Sequence, residues 1–366
     1  MNSLTCGFIG LGLIGGSIAR ALREKIPNVK IIVYDTNPET LEAALGDKVA
    51  DRAARAIDES FSHCDYLFLC APVQKNDSNL KAVKKILSPS CLLTDVGSVK
   101  SQIHHAVEAA GLSSQFIGGH PMTGSERTGY VNSKALLLEN AYFILTPTDK
   151  VSSRKVEAYR NLALKLGAIP LVMDCRLHDY VTAAISHLPH VIASSLVNLI
   201  QEQDSSEGIM RLIAAGGFKD ITRIASSSPV MWQQICLTNT ENIAGLLSAY
   251  IDSLSRIKDS LLEKDETALY EFFDRARLYR DSFIDASSGP IKRSYTLDLD
   301  IADEPGALAA IATILALNQI SIKNIGIVHN REFEGGVLKI EFYAEASIKK
   351  ASRILCAKGY LVHKTD

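Results

Sequence analysis

The chain has 366 residues, too many for one ordinary domain, so two or three are expected, each able to bury a core of its own. With 47% hydrophobic and 22% charged residues it excludes a disordered or fibrous chain. A formal net charge of −2 without any long basic run argues against nucleic acid as a main partner.

The seven cysteines, Cys6, Cys64, Cys70, Cys91, Cys175, Cys236 and Cys356, have no paired spacing and sit mostly in apolar segments. They read as reduced core residues in a reducing compartment. No uninterrupted apolar stretch reaches membrane-spanning length, and the residues before the first strand carry no signal-peptide pattern. A cytoplasmic protein is therefore expected.

The first strand, Cys6 to Ile9, runs into Gly10-Leu11-Gly12-Leu13-Ile14-Gly15 and then into a helix through Ile18, Ala19 and Leu22. In a dinucleotide-binding turn Gly10 permits the bend, Gly12 lets backbone reach the pyrophosphate and Gly15 lets the helix pack on the strand, with the phosphates at the helix N-terminus. A second strand, Val29 to Tyr34, ends at Asp35, twenty residues beyond Gly15. A carboxylate there bonds the ribose hydroxyls of NAD, and neither Thr36 nor Asn37 offers a cation to a 2′-phosphate, so NAD is favoured over NADP.

Strand-like runs alternate with helical ones to about residue 150: Cys6–Ile9, Ile31–Tyr34, Tyr66–Ala71, Cys91–Asp95, Phe116–Gly118 and Tyr142–Leu145. Nearly all are apolar, which predicts a parallel sheet covered on both faces, with ligands beyond the carboxyl ends of its strands. The segments placed there are Ala71-Pro72, Gly97 to Lys100 and His120 to Glu126.

Beyond Lys150 the pattern is helical, apart from a short strand-like piece at Ala168 to Met173. His178 to Gln201 predicts a long helix kinked near Ser186 by Pro189, and Gly208–Leu212, Phe218–Ala225, Val230–Leu254 and Arg256–Phe283 predict further helices. This all-α region is too apolar for a solvated linker and reads as a bundle that meets a second subunit. Ala286 to Pro290 is the best linker, and 295–363 reads strand, helix, strand, hairpin, strand, helix, strand, a split-βαβ module of about seventy residues. The boundaries are set at 1–150, 151–286, a linker at 287–293, and 294–366.

Six segments in order, GFIGLGLIGGS, TDVGSVK (Thr94–Lys100), GGHPMTGSE (Gly118–Glu126), SHLPH (Ser186–His190), GGFKDITRIASSSPVMW (Gly216–Trp232) and DEPGAL (Asp303–Leu308), give a chain that resembles the prephenate dehydrogenases of tyrosine biosynthesis carrying a C-terminal ACT domain. The resemblance covers essentially the whole length. It implies an α/β Rossmann domain, an all-α helical dimerisation domain and a ferredoxin-like βαββαβ ACT module. It also implies NAD-dependent oxidative decarboxylation of prephenate to 4-hydroxyphenylpyruvate by a homodimer.

Under that resemblance His120 is the base for the 4-hydroxyl proton, suited to it by an imidazole pKa near operating pH, and Ser98 orients hydroxyl and imidazole. Prephenate is a dianion, so Arg223 is expected to grip a carboxylate through two parallel bonds, with Lys219 four residues earlier on the same helix face and Asp220 restraining one of them. His187 and His190, three apart, share a face. His190 is expected to contact substrate and His187 either to line the same pocket or to pack in the core. No metal is expected, since neither acidic nor sulfur partners adjoin this pair. Ser125 and Glu126 match substrate-side positions, and Trp232 stands near the site or in the core.

The cofactor residues are Gly10, Gly12, Leu13, Ile14, Gly15, Asp35, Ala71, Pro72 and Ser98. In the last module Asp303, Pro305, Gly306, Ala307, Asn324 and Ile325 are expected to receive L-tyrosine as an inhibitor, unless the module only dimerises. Three rival readings stand. Dehydrogenases of β-hydroxyacids share the two-domain build but are expected to carry a lysine where this chain has SHLPH. Arogenate dehydrogenase differs only in its substrate's amino group, and a non-catalytic NAD- and amino-acid-responsive regulator would lack His120 or Arg223.

Overall fold

The computed structural model describes residues 3–124, 127–285, 295–301, 304–328 and 336–363. The chain divides into two compact units, Met1–Glu263 and Lys264–Asp366. The linker at 287–293 lies outside the described residues.

Five parallel strands form the first sheet in the order β3-β2-β1-β4-β5, where β1 is Thr5–Ile9, β2 Lys30–Tyr34, β3 Arg52–Ala53, β4 Tyr66–Leu69 and β5 Leu92–Asp95. Strand order reverses between β1 and β4, which opens a crevice beyond their carboxyl ends. The strands are apolar because both faces are covered: Phe8, Ile31 and Phe68 pack into one cluster, and Ile9, Leu67 and Leu93 into another. Phe8 and Phe68 stack across adjacent strands at 4.8 Å. On the same side, the hydroxyl of Tyr159, from the helix Ser153–Lys165, bonds Thr94 on β5 at 3.0 Å.

The sequence predicts parallel pairing throughout, and here the structure differs. A second sheet holds β6 (Ile117–Pro121), β7 (Tyr142–Pro147) and β8 (Ile169–Val172), with β6 and β7 antiparallel and β7 and β8 parallel. Between β6 and β7 the described residues form only single turns at Tyr130–Asn132 and Ala135–Leu138, too little for the crossover helix that parallel strands require. A parallel bridge from Leu93 to Phe116 joins the two sheets. The expected boundary at 150 falls before β8, which adds a strand to this sheet.

The helical part opens with Cys175–Thr182, a π turn at Ala183–His187 and the helix Leu188–Gln203. Pro189 has no N–H to continue the ladder, and the π turn just before it takes the place of the kink expected near Ser186. This 29-residue run is long and apolar enough to cross a membrane by length and composition, a stretch not expected from the sequence. It nonetheless buries His178, Asp179 and His187, all hydrogen-bonded to other elements of the unit.

Helices at Ile209–Ile213, Gly216–Thr222, Pro229–Thr238 and Thr240–Glu263 follow. The break expected near residue 255 falls at Lys264, whose φ of 55° ends the helix, and Asp265 accepts from the Ala268 amide at the start of Glu266–Asp285.

The last strands, β9 (Tyr295–Ile301), β10 (Ile322–Val328), β11 (Gly336–Phe342) and β12 (Val362–His363), form an antiparallel sheet ordered β10-β11-β9-β12. With helices Ala307–Leu317 and Glu345–Ala357 they give the βαββαβ order read from the sequence, around a core of Leu299, Ile311, Leu338 and Leu355.

Two glycines of the first turn behave oppositely. Gly10 has φ of 85°, and a Cβ there would stand 2.6 Å from the backbone nitrogen of Ala71, whereas a Cβ on Gly12 meets nothing within 4 Å. Gly10→Ala is expected to cost roughly 1–3 kcal/mol in denaturant unfolding, and Gly12→Ala less than about 0.5 kcal/mol. Equal effects would contradict this account of the turn.

Candidate active site

Along the carboxyl edge of the first sheet stand, in spatial order, Asp35 after β2, Gly10 after β1, Ala71-Pro72 after β4 and Gly97-Ser98 after β5. Asp35 is fixed by two amides: Leu11 N–H donates to one carboxylate oxygen at 2.7 Å and Asn37 N–H to the other at 2.9 Å. Gly12 caps the helix Leu13–Lys25 without a side-chain bond, so the first amides of that helix open onto the space beside Gly12. Gly15 lies so near Cys70 that a Cβ would stand 2.9 Å from its Cβ. An open cradle at a helix N-terminus, with a held carboxylate beside it, fits a dinucleotide.

Next to this edge is a buried polar knot. Lys100, fully buried, pairs with Asp95 and donates to Gly119 O at 2.8 Å, while Gly119 N–H donates to Asp95 at 3.3 Å. The amides of Lys100 and Ser101 each donate to Asp179 at 2.7 Å. A buried ammonium is tolerated only when paired in this way. Burial still draws the Lys100 pKa below the usual lysine range, against the pull of Asp95.

His120 follows Gly119 and lies within β6 rather than after it, because the strand runs on to Pro121. Its Nδ1 is 2.8 Å from Nε2 of His178, and His178 Nδ1 is 2.8 Å from Asp179 Oδ1. Ser98 is half-buried at the end of β5, and the His120 ring is bonded through Nδ1 to His178. His178 and Asp179 are outside the candidates read from the sequence. The available signal was a His-Asp pair near the start of a long apolar helix, where burial demands partners.

His187 comes from the π turn and is buried, its Nδ1 3.2 Å from the side-chain amide of Asn239, which also donates to Asp179 O at 2.8 Å. His190, one turn on, donates from Nδ1 to Ser186 O at 2.9 Å and stacks on Trp232 with ring centres 3.7 Å apart. Trp232 also meets His187 edge-on at 5.9 Å, and its Nε1 is buried with no hydrogen-bond partner among the described residues. Burial lowers the His190 pKa, and the charge of Arg223, exposed after the helix Gly216–Thr222, adds to that.

Hydrogen bonds and ring contacts thus lead from His120 through His178, Asp179 and Asn239 to His187, Trp232 and His190, and the turn that carries Arg223 packs on the helix that carries His190. Lys219 and Asp220 are exposed on the helix leading to Arg223. Ser125, Glu126 and Asp303 lie outside the described residues. Among the described residues no group of three His, Cys, Asp or Glu side chains is placed to hold a metal ion.

Removal from water lowers the pKa of His120, His178 and His187, the last to about 4, from an ordinary 6.5. Between the lowered values and 6.5 the unfolded chain binds protons that the folded chain refuses, so stability rises with pH in that window. The melting temperature is therefore expected to hold above about pH 7 and to fall steadily as the pH drops below about 6.5, with His187→Gln flattening part of that slope. A midpoint that stays level down to about pH 5 would contradict the sign of these shifts.

Residues 18–171 match the family described as prephenate dehydrogenase, nucleotide-binding domain, and residues 174–275 the family described as prephenate dehydrogenase, dimerization domain. The chain is 37% identical to the prephenate dehydrogenase of Bacillus subtilis (strain 168), over 96% of this chain and 95% of that one. It is 31% identical to that of Lactococcus lactis subsp. cremoris (strain MG1363), over 95% and 96%. Among solved structures it is similar to prephenate dehydrogenase from A. aeolicus in complex with hydroxyphenyl propionate and NAD+, with a TM-score of 0.73, 33% identity and coverage of 77% of this chain and 99% of that one. It is also similar to Synechocystis arogenate dehydrogenase, with a TM-score of 0.69, 27% identity and coverage of 77% and 100%.

Proposed function

The chain belongs to the prephenate dehydrogenase family, and from that premise we propose how its own residues divide the work. The activity is NAD-dependent oxidation of prephenate with loss of carbon dioxide, and NAD when bound accepts the hydride that leaves ring C4. His120 takes the proton of the 4-hydroxyl as the hydride departs, and loss of the ring carboxylate then gives aromatic 4-hydroxyphenylpyruvate. Aromatisation drives that last step, so one base suffices. Ser98 orients the substrate hydroxyl from the end of β5.

Arg223, assisted by Lys219, holds the ring carboxylate. His190 meets the other end of the substrate, His187 and Trp232 wall the pocket, and Ser125 and Glu126, by their match to substrate-side positions, serve the pyruvyl tail or its entry. Gly10, Gly12, Leu13, Ile14 and Gly15 cradle the pyrophosphate and Asp35 the ribose, with Ala71, Pro72 and Ser98 toward the nicotinamide. The observation that carries this reading is the chain of hydrogen bonds and ring contacts from His120 to His190, with the turn of Arg223 packed against the same helix.

The cofactor half is 1–150 extended to the end of β8, and the substrate and dimerisation half runs from there to 286. Exposed Ile251, Leu254, Leu261 and Leu262 on one long helix support a homodimer. The final unit, 294–366, is proposed as an ACT module that takes L-tyrosine at Asp303, Pro305, Gly306, Ala307, Asn324 and Ile325. Supporting it are Gly306 with φ of 93° before an uncapped helix, and a bulge in β10 next to Asn324. Seven unpaired cysteines support a cytoplasmic setting. Arogenate is the second substrate to try, since an arogenate dehydrogenase is among the similar structures.

NADH absorbance with prephenate or arogenate tests the whole reading. His120→Asn is expected to lower kcat on the order of 10³-fold, and Arg223→Ala to raise KM for prephenate on the order of 10- to 100-fold. Gly12→Ala, neutral for folding, is expected to weaken NAD binding at least about tenfold, because the added methyl group enters the cradle. Because His120 titrates well below 6.5, kcat/KM should stay level through pH 7 and fall only in acid. Full turnover by His120→Asn would sink the base assignment, and calorimetry with no heat from any aromatic amino acid would remove the tyrosine site.

A further inference from the structure

A base is useful only if the nitrogen that meets the substrate carries no proton, and a neutral imidazole has two ways to place its single N–H. In this chain the choice can be traced bond by bond. Asp179 accepts the amides of Lys100 and Ser101 at 2.7 Å each, and against the opposing effect of burial the bond from His178 together with these amides holds its pKa below the usual carboxylate range, so it is ionised. An ionised carboxylate only accepts, so His178 Nδ1, 2.8 Å away, must donate. Burial keeps His178 neutral, which makes its Nε2 an acceptor. At 2.8 Å from that nitrogen, His120 Nδ1 must then donate, and His120 Nε2 is left with the bare lone pair.

Resting on the reading of His120 as the base, we propose that His178 and Asp179 are positioning residues, which lock His120 in the tautomer with Nε2 free and stabilise the cation that forms on it. The proton balance is simple. The substrate O–H bond breaks and an N–H bond forms at His120 Nε2. The resulting positive charge either stays on His120 or passes to His178 by a shift of the Nδ1 proton across the 2.8 Å bond, which brings it against Asp179.

The charged and titratable groups whose effects reach this pair are Asp95 from β5, Lys100 after it, His187 from the π turn, and Asp179 beside His178. Lys100 and His187 disfavour a cation on His120, and Asp95 pairs with Lys100. Asp179 is therefore the counter-charge reached through His178.

The first test needs no variant in the measured sample. Full-length protein labelled with 15N-histidine is examined by long-range proton–nitrogen correlation, with His120→Asn used only to assign the His120 signals. The expected result is a proton on Nδ1 of His120 at neutral pH, and a proton on Nε2 instead overturns the proposal.

The second test is kinetic, with melting temperatures recorded alongside. His178→Leu, which offers no acceptor, is expected to lower kcat on the order of 100-fold with KM for prephenate within about threefold. His178→Gln, whose carbonyl can accept the Nδ1 proton, should recover on the order of tenfold of that loss. Asp179→Asn removes a negative charge that favours the cation, so the acid limb of kcat should move to lower pH. Losses that follow the melting temperature alone, with no recovery by glutamine and an unmoved limb, would make these residues merely structural. His120→Asn separates the two levels: if it keeps full turnover the base reading fails, and if it is inactive while His120 carries its proton on Nε2, only the relay fails.

Discussion

The pairing of Lys100 with Asp95 in the interior is the constraint on which the rest of the site depends. An ammonium and a carboxylate withdrawn from water together are stable only if their remaining hydrogen-bonding capacity is used, and here it is spent on backbone. Asp95 takes the amides of Gly97 and Gly119, and Lys100 takes the carbonyl of Gly119. Strand β6 is thereby held against the end of β5 by buried, charge-assisted bonds. His120 is the next residue, so its position is set by a bond network that does not include its own ring. The same segment presents two amides to Asp179, which anchors the start of the long helix and so delivers His178 to His120.

Much of this was legible in the sequence, for reasons that can be named. The glycine turn, the acid at 35 and the βαββαβ order depend on local spacing and on patterns with a period of two or 3.6 residues, and a chain displays both directly. His120 and Arg223 stand out as candidates because each sits in a distinctive run of neighbours. The antiparallel β6 and β7 were misread because an apolar strand looks the same in either direction. The lack of a crossover helix between them was the usable clue. His178 and Asp179 were passed over for another reason: their significance lies in partners at 120 and at 100 and 101, and contact across such separations leaves no local periodicity. Lys100 was noted only as a residue after a strand, since nothing in TDVGSVK says that its ammonium is buried.

The π turn joins the two halves of the site. Removing one N–H at Pro189 leaves the preceding carbonyls to be rearranged, and the chain takes a wider turn at Ala183–His187 instead of breaking. That turn directs His187 toward Asn239 and leaves His190 bonded to Ser186 O, so the two histidines receive opposite instructions. His187 accepts at Nδ1 and so keeps its proton on Nε2, whereas His190 donates at Nδ1 and keeps a lone pair on Nε2. Two imidazoles three residues apart, both against Trp232, therefore present a donor and an acceptor. The distinction arises from helix geometry, which composition alone does not reveal.

On the proposed reading, the charges of the site are sorted by distance from water. The substrate brings two negative charges, and the cation offered to it, Arg223, is exposed, where its full charge costs little to maintain. The buried cation, Lys100, is already matched to Asp95 and bonded to Gly119 O, and its complete burial keeps it from a ligand carboxylate. Between the two lie imidazoles whose protonation burial disfavours, so they do not compete with Arg223 for a carboxylate. Were Lys100 unpaired, it would attract the substrate to the wrong end of the pocket and oppose the cation on His120 more strongly. Its neutralisation by Asp95 is thus as much a requirement of the chemistry as the presence of the base itself.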